Sequence, residues 1–262
     1  MPARRRSRLG IVSERFARHA LLLLCAAGIT TAPVHAQSCA VPGASGNASV
    51  SGIVNTYYVP AAGTYAGASS IAISGARGSA TAFAAGDLAL VIQMQCANIN
   101  AVNTAAYGGS GTNGNGYTDP ASGCLAGLYE YAPVASFTAG TLSFSAGLQN
   151  TYIQDATTAT NRRTFQVIRV PQYSSATLSG GVTASYWDGS TGGVVAMDVA
   201  GQLAWGGQTI DVAGRGFRGG GGIDQSGFAL SGTTIPPYLS NNTTPQHASK
   251  GEGIAGTPRQ VW

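Results

Sequence analysis

The sequence predicts an all-β fold: a right-handed parallel β-helix or β-solenoid-like core with projecting loops, over about residues 50–215. Three observations carry this. Only 9% of the 262 residues are charged, against roughly 25% in an ordinary soluble domain, too few to clothe the outer faces of amphipathic helices. Small residues fill the gap, 38 glycines among them, and they punctuate short runs of Val, Ile, Leu and aromatic residues as turns punctuate strands. Finally, the stretch 192–222, GGVVAMDVAGQLAWGGQTIDVAGRGFRGGGG, reads as two extended segments, 194–199 and 208–213, closed by a glycine cluster. Antiparallel pairing would use the same strands, so a β-sandwich is the alternative. The runs are unevenly spaced, so any solenoid turns would be unequal.

The chain opens on an address. Arg4, Arg5, Arg6, Arg8, Arg15 and Arg18 precede a ten-residue apolar core, 20–29 (ALLLLCAAGI), and Val34-His35-Ala36 offers a cleavage site between Ala36 and Gln37. That order is the secretory signal pattern, with a buried N-terminal helix as the alternative. The apolar run is short for a bilayer span, which needs about 20 residues. Residues 1–36 are expected to be a signal peptide, and the mature chain to be secreted or held at the cell surface with no stable membrane span. Removing the first eighteen residues leaves eight basic and nine acidic residues, a net charge of −1. The formal +4 is therefore an export feature, and no nucleic-acid partner is expected.

Export also makes the cysteines readable, because oxidising compartments favour disulfides. Cys39, Cys96 and Cys124 remain after cleavage. A Cys96–Cys124 bond would clamp the loop between them and leave Cys39 unpaired, whereas Cys39–Cys96 and Cys39–Cys124 are the other connectivities. With no C-x-x-C and a single histidine, His247, after the signal, no metal site is expected.

Residues 37–49 are small, polar and Pro/Gly-containing, a flexible lead-in. From 50 the β signals begin: Ile53-Val54 and Tyr57-Tyr58-Val59 ending at Pro60, then SIAIS at 70–74 with strict period two. LALVIQM at 88–94 is the strongest run. Nearly continuous and introduced by Gly86-Asp87, it fits a strand buried on both faces, with a short buried helix as the alternative. Residues 98–123 are rich in Gly, Asn, Thr and Ser, have too few apolar residues for a core and read as one long surface loop, a place for binding or a spacer held by the disulfide. Strands follow at 128–134, 140–145, 164–170 and 176–179, with Pro133 and Pro171 marking strand ends or edges. The β-rich domain is placed at 50–218. Residues 219–262 are rich in Gly, Pro and Asn and read as a loop-like tail, truncated from something longer.

The motifs do not add up to chemistry. Gly214-Arg215-Gly216-Phe217-Arg218-Gly219 matches G-x-G-x-x-G, but glycines follow where a dinucleotide site needs a helix. Arg215 and Arg218 read as polar punctuation keeping a glycine loop soluble. GGGGID at 219–224 resembles one calcium-binding β-roll unit, which needs stacked copies. Asp87, Asp188 and Asp198 are explained by turn and capping chemistry, and Trp187 and Trp205 by packing. No catalytic residue and no cofactor site is expected.

Five segments resemble the N-terminal region of large secreted bacterial cell-surface proteins: GDLALVIQMQ (86–95), FQVIRVPQYSS (165–175), WDGSTGG (187–193), IDVAGRGFRG (210–219) and SKGEGIAGTPR (249–259). Many such proteins carry Ig-like repeats further along, and similar segments occur in gliding-associated proteins. The resemblance implies an adhesin-like, non-catalytic surface role, with surface glycans or other cell-surface proteins as partners. The alternative is a polysaccharide-binding or polysaccharide-degrading β-helix. Convergence of Asp188, Asp198, Asp211 and Arg169 in one groove would favour the degrading enzyme.

Overall fold

The computed structural model describes residues 41–99, 117–118, 124–155, 161–219 and 251–255. Among them every regular element is a β-strand. They are β1 (Asn47–Ile53), β2 (Thr56–Pro60), β3 (Ser70–Gly78), β4 (Leu88–Ile99), β5 (Tyr117–Thr118), β6 (Tyr129–Thr138), β7 (Thr141–Phe144), β8 (Asn161–Val170), β9 (Gln172–Tyr173), β10 (Ser175–Thr183), β11 (Asp198–Val199) and β12 (Leu203–Ala204).

Six strands close on themselves in the order β4-β6-β7-β3-β2-β8 and back to β4, every pairing antiparallel, with β5 added beside β4. Period two explains the wall. Ala89 and Val91 of β4, Phe165 and Val167 of β8, and Tyr58 of β2 point inward. There they join Ile71, Ile73, Val134, Leu142, Phe144 and Tyr152 in one buried cluster. Leu88 and Leu90, Ile168 and Val170, and Tyr57 take the alternate positions and form a second cluster on the outer side of the same wall. Two stacked or edge-on aromatic groups fill the interior, Tyr58 with Phe83 and Phe137, and Tyr152 with Phe165. Between β6 and β7 the two-residue turn Ala139-Gly140 has positive φ at both positions (50° and 79°), the conformation whose twist matches a tight hairpin.

The second part is small and parallel. β10 pairs in parallel with β1 on one side and β12 on the other, β9 pairs in parallel with β11, and Val182 bridges Ile210 in parallel. Partners in consecutive turns lie 26 (Gln172 to Asp198), 27 (Ala176 to Leu203) and 28 (Val182 to Ile210) residues apart. Three successive turns, at 44–53, 172–183 and 198–210, thus stack around an apolar interior of Val50, Val54, Ala176, Leu178 and Val182. The barrel is spliced between the first turn and the second.

The all-β expectation agrees with this structure, but the architecture differs from a solenoid over 50–215 and from a sandwich. The strands between Thr56 and Val170 form a closed antiparallel barrel, and among the described residues parallel stacking is confined to the turns flanking it. The physical reason lies in 88–94. This run is a strand buried on both faces, as its composition requires. However, its outer face is covered by the extended segment 194–197 rather than by parallel-sheet crossovers, and burial on two faces does not specify strand direction. Pro171 falls just after β8, whereas Pro133 lies within β6, opposite Leu88.

Candidate functional site

The seam between barrel and stack is where the chemistry-bearing side chains gather. Residues 194–197 (VVAM) run along it with period two. Val194 and Ala196 pack on the outer barrel cluster, and Val195 and Met197 pack into the stack. One short segment therefore serves two cores.

Its backbone is held by side-chain amides. The buried Asn55 donates from Nδ2 to the Ala196 carbonyl (2.6 Å) and accepts the Ala196 N–H at Oδ1 (2.9 Å), pairing as a neighbouring strand's peptide would. Gln166 does the same with Gly192, donating to its carbonyl at 3.0 Å and accepting its N–H at 2.9 Å. Gln93 repeats the pattern with Ile153, at 2.8 Å and 2.9 Å. Gly192 has φ +112°, and a side chain there would run into the Tyr186 carbonyl. The Tyr57 hydroxyl donates to the Val194 carbonyl at 2.6 Å, and burial pushes this phenol up to about 12. These amides satisfy backbone groups that the barrel wall cannot reach, which is why buried Asn and Gln occupy otherwise apolar strands.

Two grooves open along the seam. The first, of 580 Å³, is apolar. Leu90, Ile92 and the tyrosines Tyr129 and Tyr131 form its barrel side, and Val195, Met197, Leu203, Ile210 and Val212 its stack side. Tyr129 (57% exposed) and Tyr131 (50%) meet edge-to-face with ring centres 6.0 Å apart. Burial, with Tyr129 and Asp198 nearby, raises the Tyr131 phenol. The second groove, of 350 Å³, is lined by Ser45, Ser49, Ser51, Ser79 and Thr81, by Tyr173, Arg169 and Ile53, and by the buried Val50, Val54 and Pro171. Asp87 takes both Nε and Nη2 of Arg169 at 2.8 Å. The same carboxylate accepts the Ala84 N–H.

Beside the seam lies an ionic cluster. Arg77 bridges Asp188, and it donates to Thr191. Glu252, whose side chain is almost fully buried, receives Arg218 at 2.9 Å and Arg162 at 3.8 Å. Burial raises the Glu252 carboxyl, but the hydrogen bonds and charge of Arg218 outweigh it and hold the group below the usual carboxylate range. The neighbouring strap is docked by Gln95, which donates to the Gly253 carbonyl (3.0 Å), and by the Cys96 N–H, which donates to Ile254 (2.8 Å).

Cys96 and Cys124 are disulfide-bonded, with Cα atoms 5.9 Å apart. Ala36 and Gln37 at the expected cleavage point, Cys39, His247, and residues 219–224 beyond Gly219 lie outside the described residues. Asp188, Asp198, Asp211 and Arg169 stand in separate partnerships. Asp188 binds Arg77, Arg169 binds Asp87, Asp211 accepts the Ala213 N–H, and Asp198 sits in β11. Asp188 and Asp87 also serve turns, as expected. The reading of Arg215 and Arg218 as solubilising punctuation is corrected. Arg215 lies over the Tyr186 ring at 3.8 Å, Phe217 meets the buried Trp187 edge-on, and Arg218 neutralises Glu252. The G-x-G-x-x-G stretch is thus packed down by its non-glycine residues. Sequence reasoning misses the buried glutamines. Their signal was there, polar amides inside the runs LALVIQMQ and TFQVIRV, but not their partners.

No protein-family model and no curated protein matches the chain. Two solved structures are similar in part. The Gp54 tailspike of Acinetobacter baumannii bacteriophage AP22, in complex with A. baumannii capsular saccharide, aligns with TM-score 0.27 and 12% identity over 51% of this chain and 17% of that one. The tailspike protein gp49 from Pseudomonas phage LKA1 aligns with TM-score 0.23 and 13% identity over 50% of this chain and 19% of that one. The chain spans under a fifth of either tailspike.

Proposed function

We propose that this chain is a non-catalytic structural and adhesive module of an exported surface protein, in which the barrel closes the start of a parallel β-helix. Its third turn is then the docking face for a further parallel β-turn from another segment of that surface protein. One observation carries the reading. Inward residues of the second turn are sealed, with Ala176, Leu178 and Val182 at 1%, 2% and 1% exposure, whereas Leu203, Ile210, Val195 and Met197 of the third are only half-buried against the apolar groove. Stacked repeats leave such a face only where another layer or a cap belongs. Among the described residues β12 also presents an unpaired edge, the usual site of strand addition. A second copy stacked head to tail fits less well, because Val50 and Val54 of the first turn are already buried.

The test uses the mature protein. An apolar fluorescent dye should bind the groove, and the double variant Leu203→Lys/Ile210→Lys should abolish that binding. The β12 amides should exchange with solvent at least a hundredfold faster than those of Ala176–Leu178 in β10. Absence of dye binding, or equal protection of the two turns, overturns the reading. Polysaccharide binding is the second reading, favoured by the hydroxyl-lined groove. The separate partnerships of Asp188, Asp198, Asp211 and Arg169 favour binding over hydrolysis.

A further inference from the structure

We propose that the hydroxyl-lined groove is a binding site for a neutral saccharide. The inference gives a ligand to the adhesive part of the function proposed above, and it does not depend on the open third turn.

The groove forms where three separate parts of the chain meet. These are the first turn of the stack (Ser45, Ser49, Ser51), the connection after β3 (Ser79, Thr81), and the exit from the barrel (Arg169, Tyr173). Clefts at such junctions are the usual places for small ligands, and its volume lies at the small end of the range for specific sites, about 300–1,000 Å³. Its chemistry narrows the class. Ser45 Oγ already accepts the Gln172 N–H and Ser79 Oγ shares a hydrogen bond with the Thr56 hydroxyl, but a hydroxyl both donates and accepts, so this serine and threonine set still matches the vicinal hydroxyls of a sugar. The one guanidinium at the groove is held in a two-pronged ion pair with Asp87, the two side chains being 14% and 15% exposed. The pair carries no net charge, so the site does not select an anion, and Asp87 holds the guanidinium in one orientation. Tyr173 and Ile53, both half-buried, supply the apolar surface at the groove for the C–H face of a pyranose, with the buried Val50, Val54 and Pro171 behind them. The larger apolar groove offers the opposite balance, nine apolar side chains and one glycine with two phenols, and suits a polypeptide better.

The experiment is an array of neutral, acidic and sulfated oligosaccharides probed with the mature protein, followed by calorimetry on the best neutral ligand. Thr81→Trp is the blocking variant, since Thr81 is exposed at the groove and the indole would fill it with no loss of packing. Arg169→Lys keeps the charge but removes the fork. We expect retention of neutral glycans, insensitive to salt between 50 mM and 500 mM, as about the range over which charge-driven binding would be screened. Thr81→Trp should weaken it at least tenfold at an unchanged melting temperature, and Leu203→Lys/Ile210→Lys should leave it intact. Retention of charged glycans alone, no retention at all, or neutral binding indifferent to Thr81→Trp overturns the inference. Glycan binding lost in Leu203→Lys/Ile210→Lys but kept in Thr81→Trp places the ligand in the apolar groove and likewise overturns it.

Discussion

The barrel and the stack are built from the same kind of strand and end up with opposite boundary conditions. Closure leaves the barrel without exposed edges between its six strands, and its inner residues are sealed. Among the described residues the stack keeps two edges, β1 and β12, and its inner residues grade from sealed to half-covered within one turn. Small Val- and Ile-rich strands therefore do not decide for themselves whether they finish a surface or leave one open. Connectivity decides: antiparallel neighbours can return to the first strand, whereas parallel turns only add at an end.

The sharpest way to break the comparison is to remove one inner residue from each part. Phe165→Ala, at the fully buried centre of the barrel, should cost about 3–5 kcal/mol in denaturant unfolding, and Leu203→Ala about 1 kcal/mol, because part of its cavity is already solvent. Equal losses would mean that the third turn is sealed after all. Next comes the join. Gln166→Leu keeps the volume but strips Gly192 of partners for both its N–H and its carbonyl, and should cost about 2–4 kcal/mol. The damage should appear as rapid amide exchange over 192–197 while β4 and β6 stay protected, since the barrel closes without this residue's amide. If β4 opens with it, barrel and stack are one cooperative unit.

The smallest effect is acidic and local. Glu252 has a folded-state pKa below its unfolded value, so its contribution is complete above the unfolded value of about 4.3 and is lost as pH falls through the folded one. Below about pH 4 the hydrogen bonds from Gln95 and Cys96 to residues 253 and 254 should loosen, read as faster exchange at Cys96, while β8 in the barrel wall remains protected. A pH-independent strap would show that the Arg218–Glu252 pair does not hold it.

What the sequence made legible follows from what each signal reports. The alternation in 70–74 gave a half-exposed strand, Ile71 and Ile73 inward and Ala72 outward, because period two is a local property. The run at 88–94 gave two-faced burial for the same reason. Strand direction was not legible, since Leu88 pairs with Pro133 and Val170 across separations that leave no local trace. The site suffered in the same way. Gln93 and Gln95 are both buried because the ladder to β8 slips between them, leaving Met94 as the extra residue. Nothing near them in sequence announces Ile153 or Gly253. Asp87 was readable as a turn residue but not as the partner of Arg169, 82 positions away.

The position of the barrel within the stack has a kinetic consequence. Asn47 and Ser175 are register partners separated by 128 residues, a distance at which chain closure is slow. However, β2 and β8 are adjacent, with Thr56 opposite Arg169, so the folded barrel delivers both ends of its own insertion side by side. The search for the first stacking contact is then set by the few residues on either side of the barrel and no longer by the intervening chain. Assembly should run from the barrel outward, with the second turn as the template on which the third is laid.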